Sequence, residues 1–100
     1  MPAYVIAQVE VTDAEKFAQY GAQVPATIEQ YGGRYLVRGG ATEAIEGNWA
    51  PPRVVVLEFP SMEQLKKWYY SEAYKPLIAL RQQAAKTHLS FVEGYLPNPA

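Results

Sequence analysis

From Tyr4 to Val11 the side chains alternate. Val5, Ala7, Val9 and Val11 share one face, and Tyr4, Ile6, Gln8 and Glu10 share the other. That two-residue period predicts a strand with one wholly apolar face and one that is apolar at its start and polar at its end. The period then lengthens. Phe17, Tyr20, Val24, Ile28 and Tyr31 recur at steps of three and four, which predicts a helix over about 14–31. Thr12 and Glu15 form a capping box at its start, and Gly32-Gly33 supply its end. Pro25 removes a backbone donor and crowds the preceding turn, so a kink or break is expected there.

A second strand is predicted over 34–38, bent or bulged by Gly39-Gly40, with 41–46 continuing as a strand arm. Gly47-Asn48 and Pro51-Pro52 mark turns. The run RVVVLEF, residues 53–59, is rich in β-branched residues and reads as the third strand. Ser61 and Gln64 form a second capping box, and Leu65, Trp68 and Tyr69 share the face of the helix that follows. Pro76 suits the first turn of a new segment, so this helix should break near 71–75. Leu77, Leu80, Arg81 and Ala84 continue the helical period. A last strand is expected over 87–96, stopped by Pro97 and Pro99.

The order strand, helix, strand, strand, helix, strand predicts a single α+β domain over 1–100 with a ferredoxin-like βαββαβ fold. It would have a four-stranded antiparallel-type sheet with two broken helices on one face. Right-handed crossovers lead to the expectation that the first and third strands lie side by side and parallel, in the spatial order four, one, three, two. The helices then cover Val5, Ala7, Val9, Val11, Val55, Leu57 and Phe59. The opposite face keeps Tyr4, Ile6, Gln8, Glu10, Val54, Val56 and Glu58. An apolar face of that size predicts a homodimer through the open sheet, stacking two sheets into an α+β barrel. The competing arrangement is a monomer whose segment 39–52 folds over the sheet.

Composition narrows the function classes. One hundred residues make one domain able to bury roughly 60–70% of its unfolded surface. Hydrophobic residues are 49% of the chain, an excess that suits a second, oligomeric interface. Nine basic and ten acidic residues leave a charge of −1 with no basic stripe, which argues against nucleic-acid binding. There is no cysteine, so disulfides, thiolate metal sites and cysteine nucleophiles are excluded. The start, MPAYVIAQVEV, does not read as a signal peptide, and no run approaches the ~20 apolar residues of a membrane span. The expected location is the cytoplasm.

The opening AYVIAQVEVTD, the run YGGRYLVRGG, the turn EGNWAPPR with the strand VVVLEFPS, and the segment WYYSEAYKPL resemble the domain-of-unknown-function family 1330. That family lies in the dimeric α+β barrel superfamily, and the resemblance covers nearly the whole chain. It implies a ferredoxin-like protomer and a homodimer, and no established activity. The wider superfamily includes cofactor-free monooxygenases of quinol type, lactone isomerases and haem-binding chlorite dismutase-like enzymes. Carrying any of those reactions across would be fold analogy.

The candidate chemistry lies at the polar end of the open face. With the strands arranged as expected, His88, Glu10, Glu58 and Arg34 form one row across four strands. Two neighbouring carboxylates in an enclosed site would raise one pKa, giving a general acid or base. Arg34 or His88 would then hold an anionic oxygen. The plainer alternative is that these are cross-strand pairs at a wet rim. For a ligand-binding wall the candidates are Tyr20, Trp49, Arg38 and Tyr69, from a chain rich in amphipathic rings. Core or interface packing is the alternative for each ring. His88 is the only histidine, so no multi-histidine metal centre is possible. A lone haem ligand is the one metal role left to it, and no metal or cofactor is expected. Two functions remain open. One is a cofactor-free enzyme moving a proton on, or oxygenating, a small planar or carboxylated organic molecule. The other is a non-catalytic dimeric module binding a metabolite or a protein.

Overall fold

The computed structural model describes residues 1–96; the predicted stops at Pro97 and Pro99 lie outside them. The alternating N-terminal run forms β1 (Ala3–Val11). It is followed by α1 (Ala14–Gln30), β2 (Arg34–Gly40), β3 (Val54–Phe59), α2 (Met62–Tyr69), α3 (Lys75–Ala84) and β4 (Ala85–Glu93). The sheet order is β2-β3-β1-β4, with every neighbouring pair antiparallel. This is the ferredoxin-like arrangement. One expectation fails: β1 and β3 are antiparallel, with Tyr4 opposite Glu58 and Gln8 opposite Val54. The right-handed crossover through α1 makes β1 and β2 the parallel pair and leaves a strand-wide gap between them. β3 returns from β2 as a neighbour and fills that gap, so it runs against both.

The helix starts are set by side-chain caps. Asp13, not Thr12, caps α1, accepting from the Lys16 backbone N–H at 3.1 Å. Ser61 caps α2 as the sequence predicts, accepting from Gln64 N–H at 3.1 Å. Ser71 shapes the break before α3: its Oγ donates to the Trp68 carbonyl at 2.7 Å and accepts from Tyr74 N–H at 3.1 Å. Pro76 occupies the first turn of α3. No strand forms over 41–46, and β4 begins at Ala85, two residues earlier than expected. The register of β2 against β3 shifts twice, between Tyr35 and Val37 and between Arg38 and Gly40. The second shift is the bulge that Gly39, at φ +71°, was expected to permit.

Helix α1 runs through Pro25 without a break. Val24 and Ile28, on either side of the proline, are buried against the sheet. Burying each is worth roughly 1.5–3 kcal/mol, and together they offset the ~3 kcal/mol that a mid-helix proline costs. Pro25 has no N–H to give the Gly21 carbonyl. Arg38 of β2 gives one instead, donating from Nη2 to that oxygen at 2.8 Å.

The core lies between the helices and the inner sheet face. Val5, Ile28, Leu57, Phe59, Leu65 and Trp68 are its centre. Trp68 is fixed by its indole N–H, which donates to Thr27 Oγ1 at 2.9 Å, and Thr27 in turn donates to the Val24 carbonyl at 2.7 Å. Val11, assigned to the covered face, lies beyond the helical layer and is exposed. No side chain of the expected open-face set is buried, and Ile6 is 42% exposed.

Candidate functional site

The antiparallel register disperses the expected carboxylate row. Arg34 does lie beside Glu58, donating from Nε to Oε1 at 2.8 Å. Glu58, however, stands opposite Tyr4, six residues along β1 from Glu10. At about 3.4 Å per residue that is roughly 20 Å. Glu10 faces Lys86, and His88 faces Gln8. His88 and Glu10 remain near one another at one end of the open face, while Glu58 and Arg34 hold the other. The two halves cannot act on one substrate within a protomer.

The inner face carries a better-formed feature. Between α1 and the sheet is a partly enclosed cavity of about 50 Å³. Phe17, Tyr20, Gly21 and Val24 of α1 form its roof, and Val5, Ala7, Val55, Leu57 and Leu89 its apolar floor. Tyr35, Trp68 and Thr87 complete the wall. Three arginines enter it: Arg38, Arg53 and Arg81. No aspartate, glutamate or histidine is among the described residues that line it.

Each arginine is held by the fold. Arg38 is anchored on the Gly21 carbonyl freed by Pro25, and its guanidinium lies 4.6 Å from the Tyr35 ring centre. Arg53 precedes β3, with its guanidinium 5.2 Å from the Phe17 ring centre. It also lies against the backbone of Gly39, where a Cβ would collide with its Nη1. Arg81 projects from α3 and is only 6% exposed. Its Nη1 donates to the Tyr74 hydroxyl at 3.0 Å. The two ion pairs among the described residues, Arg34–Glu58 and Lys67–Glu63, involve none of the three.

Tyr74 links Arg81 to Tyr20. Its hydroxyl oxygen lies 2.6 Å from that of Tyr20. Burial, with Tyr20 close by, pushes the Tyr74 phenol far above its ordinary value, so it is neutral at any physiological pH. A buried hydroxyl that accepts from Arg81 must also place its own hydrogen. The Tyr20 oxygen is the acceptor at hand, so Tyr74 donates to Tyr20. The Tyr20 hydrogen is then free to turn toward the cavity.

Of the expected ligand wall, Tyr20 and Arg38 line this cavity. Tyr69 lies behind it, packed on Trp68, Tyr74 and Phe91. Trp49 is elsewhere: it is 64% exposed and borders a shallow hollow with Val37, Pro51 and Val54. Sequence reasoning missed Arg53, Arg81 and Thr87. The available signal was Arg81, a cation in the helical period between Leu77 and Ala84, both of which are buried.

A ferredoxin-like sheet with helices on one face and a small recess between the two layers defines an α+β sandwich protein. The chain belongs to the family described as Domain of unknown function (DUF1330), whose model matches residues 2–95. No curated protein matches the sequence. Among solved structures, it is similar to a protein of unknown function from Rhodopseudomonas palustris. That protein is 21% identical, with TM-score 0.76, over 96% of this chain and 84% of that one. A dimeric ferredoxin-like protein of unknown function from Jannaschia sp. CCS1 is 9% identical, with TM-score 0.71, over 94% and 100% of the two chains. SnoaB, a cofactor-independent oxygenase from Streptomyces nogalater, is 10% identical, with TM-score 0.64, over 99% and 98%. At these identities the likeness establishes the fold and leaves the chemistry to be argued from the site.

Proposed function

We propose that the chain is a cofactor-free enzyme acting on a small planar organic molecule bound in the cavity beneath α1. The observation that carries this reading is the cavity itself, apolar and aromatic on its walls with a few convergent polar groups. Tyr20 and Arg38 face the ligand in this reading. Glu58 and Arg34 tie strands at the rim of the open face. The cavity offers hydrogen-bond donors and no carboxylate or imidazole base among the described residues. The substrate is therefore one acidic enough to enter as its own enolate, stabilised by the guanidinium groups. In an oxygenation the enolate carbon would be the reductant and dioxygen the oxidant. In an isomerisation, the Tyr20 hydroxyl would return a proton. The oxygenase SnoaB shares the fold and lends this class its plausibility by analogy alone.

The test is oxygen uptake and product analysis with dihydroxynaphthalenes and cyclic β-diketones, on the wild type and Tyr20→Phe. Turnover that falls in the variant is expected. Binding without turnover across the panel would overturn the enzyme reading and favour the second one, a metabolite-binding module. The missing protein base is the observation that favours that alternative.

The same reading includes a homodimer through the open sheet face. Ile6, Val37 and Val92 lie on that face and are exposed, and the similar Jannaschia protein is dimeric. Stacking two such faces would bury them and leave each inner cavity intact.

A further inference from the structure

The charged groups that line the cavity are all arginines, which can only donate. In the β1–β4 register Val9 stands opposite Thr87, and on its other side its backbone N–H donates to the Arg53 carbonyl at 2.8 Å. Arg53, Val9 and Thr87 therefore form one row across three strands. Arg53 and Thr87 lie about 10 Å apart, two strand spacings. Arg81 of α3 lines the same cavity. Arg53 Nε, Arg81 Nε and Thr87 Oγ1 are buried with no hydrogen-bond partner. Orphaned buried donors are rare in folded proteins, and three around one recess point to something that accepts from them.

Water would satisfy the donors but not the charge. Three guanidinium groups line the recess, and a guanidinium does not deprotonate in a protein. Of the three only Arg81 is buried, Arg53 being half-buried and Arg38 exposed, and a buried cation with no counter-charge is among the costlier defects a fold can carry. The whole chain has a net charge of −1, so this concentration of positive charge is not a by-product of basic composition. The guanidinium fork matches a carboxylate in both shape and charge. Val5, Leu57 and Leu89 beyond it fit an unsaturated or aromatic body and give free phosphate nothing to rest on.

Resting on the reading of the cavity as a ligand site, we propose that Arg81 and Thr87 form a carboxylate subsite, and that the ligand is a small aromatic or unsaturated monocarboxylic acid. The carboxylate accepts from Arg81 Nε and from the Thr87 hydroxyl, while Arg53, whose guanidinium lies on Gly39 of β2, stands on the opposite side of the recess. The Tyr20 hydroxyl meets a second oxygen of the ligand farther along the cavity. The acid group thus fixes the orientation, and the planar body lies under Tyr20.

Titration of the full chain with benzoate, its neutral counterpart benzamide, and inorganic phosphate tests this. The readouts are the Trp68 indole N–H resonance and calorimetry. Charge-assisted hydrogen bonds predict that benzoate binds about 10- to 100-fold more tightly than benzamide. Arg81→Met should erase most of that preference, and Thr87→Val should reduce it. Thr87 is only half-buried, so its variant keeps the test available if Arg81→Met does not fold. Equal binding of benzoate and benzamide would overturn the carboxylate subsite while leaving the cavity a ligand site. Phosphate binding as tightly as benzoate would overturn the organic-acid assignment. No perturbation of Trp68 by any probe would overturn both the subsite and the cavity reading.

Discussion

Tyr74→Phe isolates the buried phenol that positions Tyr20. The Tyr74 side chain is almost fully buried, and burial raises its pKa far above the unfolded value of about 10. A raised pKa in the folded state means that the proton is held more tightly there. Its stabilisation is complete below about pH 10. It is lost as pH rises from there toward the folded value, because only the unfolded chain ionises. The slope is ~1.4 kcal/mol per pH unit for one such group. Between pH 9.5 and 11.5 the unfolded phenol goes from mostly neutral to almost fully ionised, and the integrated loss is about 1.9 kcal/mol. Urea unfolding at a series of pH values, with m checked for constancy, measures this directly. Tyrosines that ionise alike in both states cancel. Tyr35 and Tyr4, each raised chiefly by desolvation, add a slope of the same sign that the variant retains. Tyr74→Phe should lower stability at pH 7 by roughly 1–3 kcal/mol, since Arg81 Nη1 loses its acceptor. It should also flatten the alkaline limb by about 1.9 kcal/mol over the same range. A variant whose stability falls between pH 9.5 and 11.5 as steeply as the wild type would refute the assignment of Tyr74 as the buried neutral link.

Three further outcomes follow from other parts of the molecule. Thr27→Val leaves the buried Trp68 N–H without its 2.9 Å acceptor and should cost roughly 1–3 kcal/mol in chemical denaturation; a loss below about 0.5 kcal/mol would show that the bond contributes little. Gly33→Ala sets a Cβ 2.5 Å from Phe59 Cε1 and 2.9 Å from Ile28 Cγ2, so overpacking of about 1–3 kcal/mol is expected. An unchanged melting curve would mean that the two side chains yield freely. Ile6→Glu puts a charge on the open face, and the proposed homodimer predicts that the wild type sediments as dimer and the variant as monomer. A variant that remains dimeric would place the interface elsewhere.

Local pattern determined most of the elements. The two-residue period of β1, the β-branched run of β3, the Ser61 cap and the break before Pro76 each depend on neighbours a few residues away, and all four are present. Where a local rule misled, a tertiary contact had overridden it. Pro25 signals a helix break, yet the burial of Val24 and Ile28 holds α1 together. The open sheet face was legible for the same reason, since alternation assigns each side chain to a face whatever the strand's neighbours.

The site was beyond such reasoning because it depends on strand direction and on which elements converge. Reversing β3 leaves every face assignment intact but moves Glu58 roughly 20 Å from Glu10, which dissolves the carboxylate row. Tyr20 and Arg38 could be picked out as amphipathic residues near helix and bulge. Nothing in the chain order shows that Arg38 replaces the donor Pro25 lacks, or that Arg53 and Arg81 enter the same recess from residues far apart in sequence. The sequence by itself determined the periods, the caps and the two faces, because these follow from backbone geometry and from side chains close along the chain. Only the tertiary structure decided where charge gathers without a partner, because a missing counter-ion is a property of every element around a cavity at once.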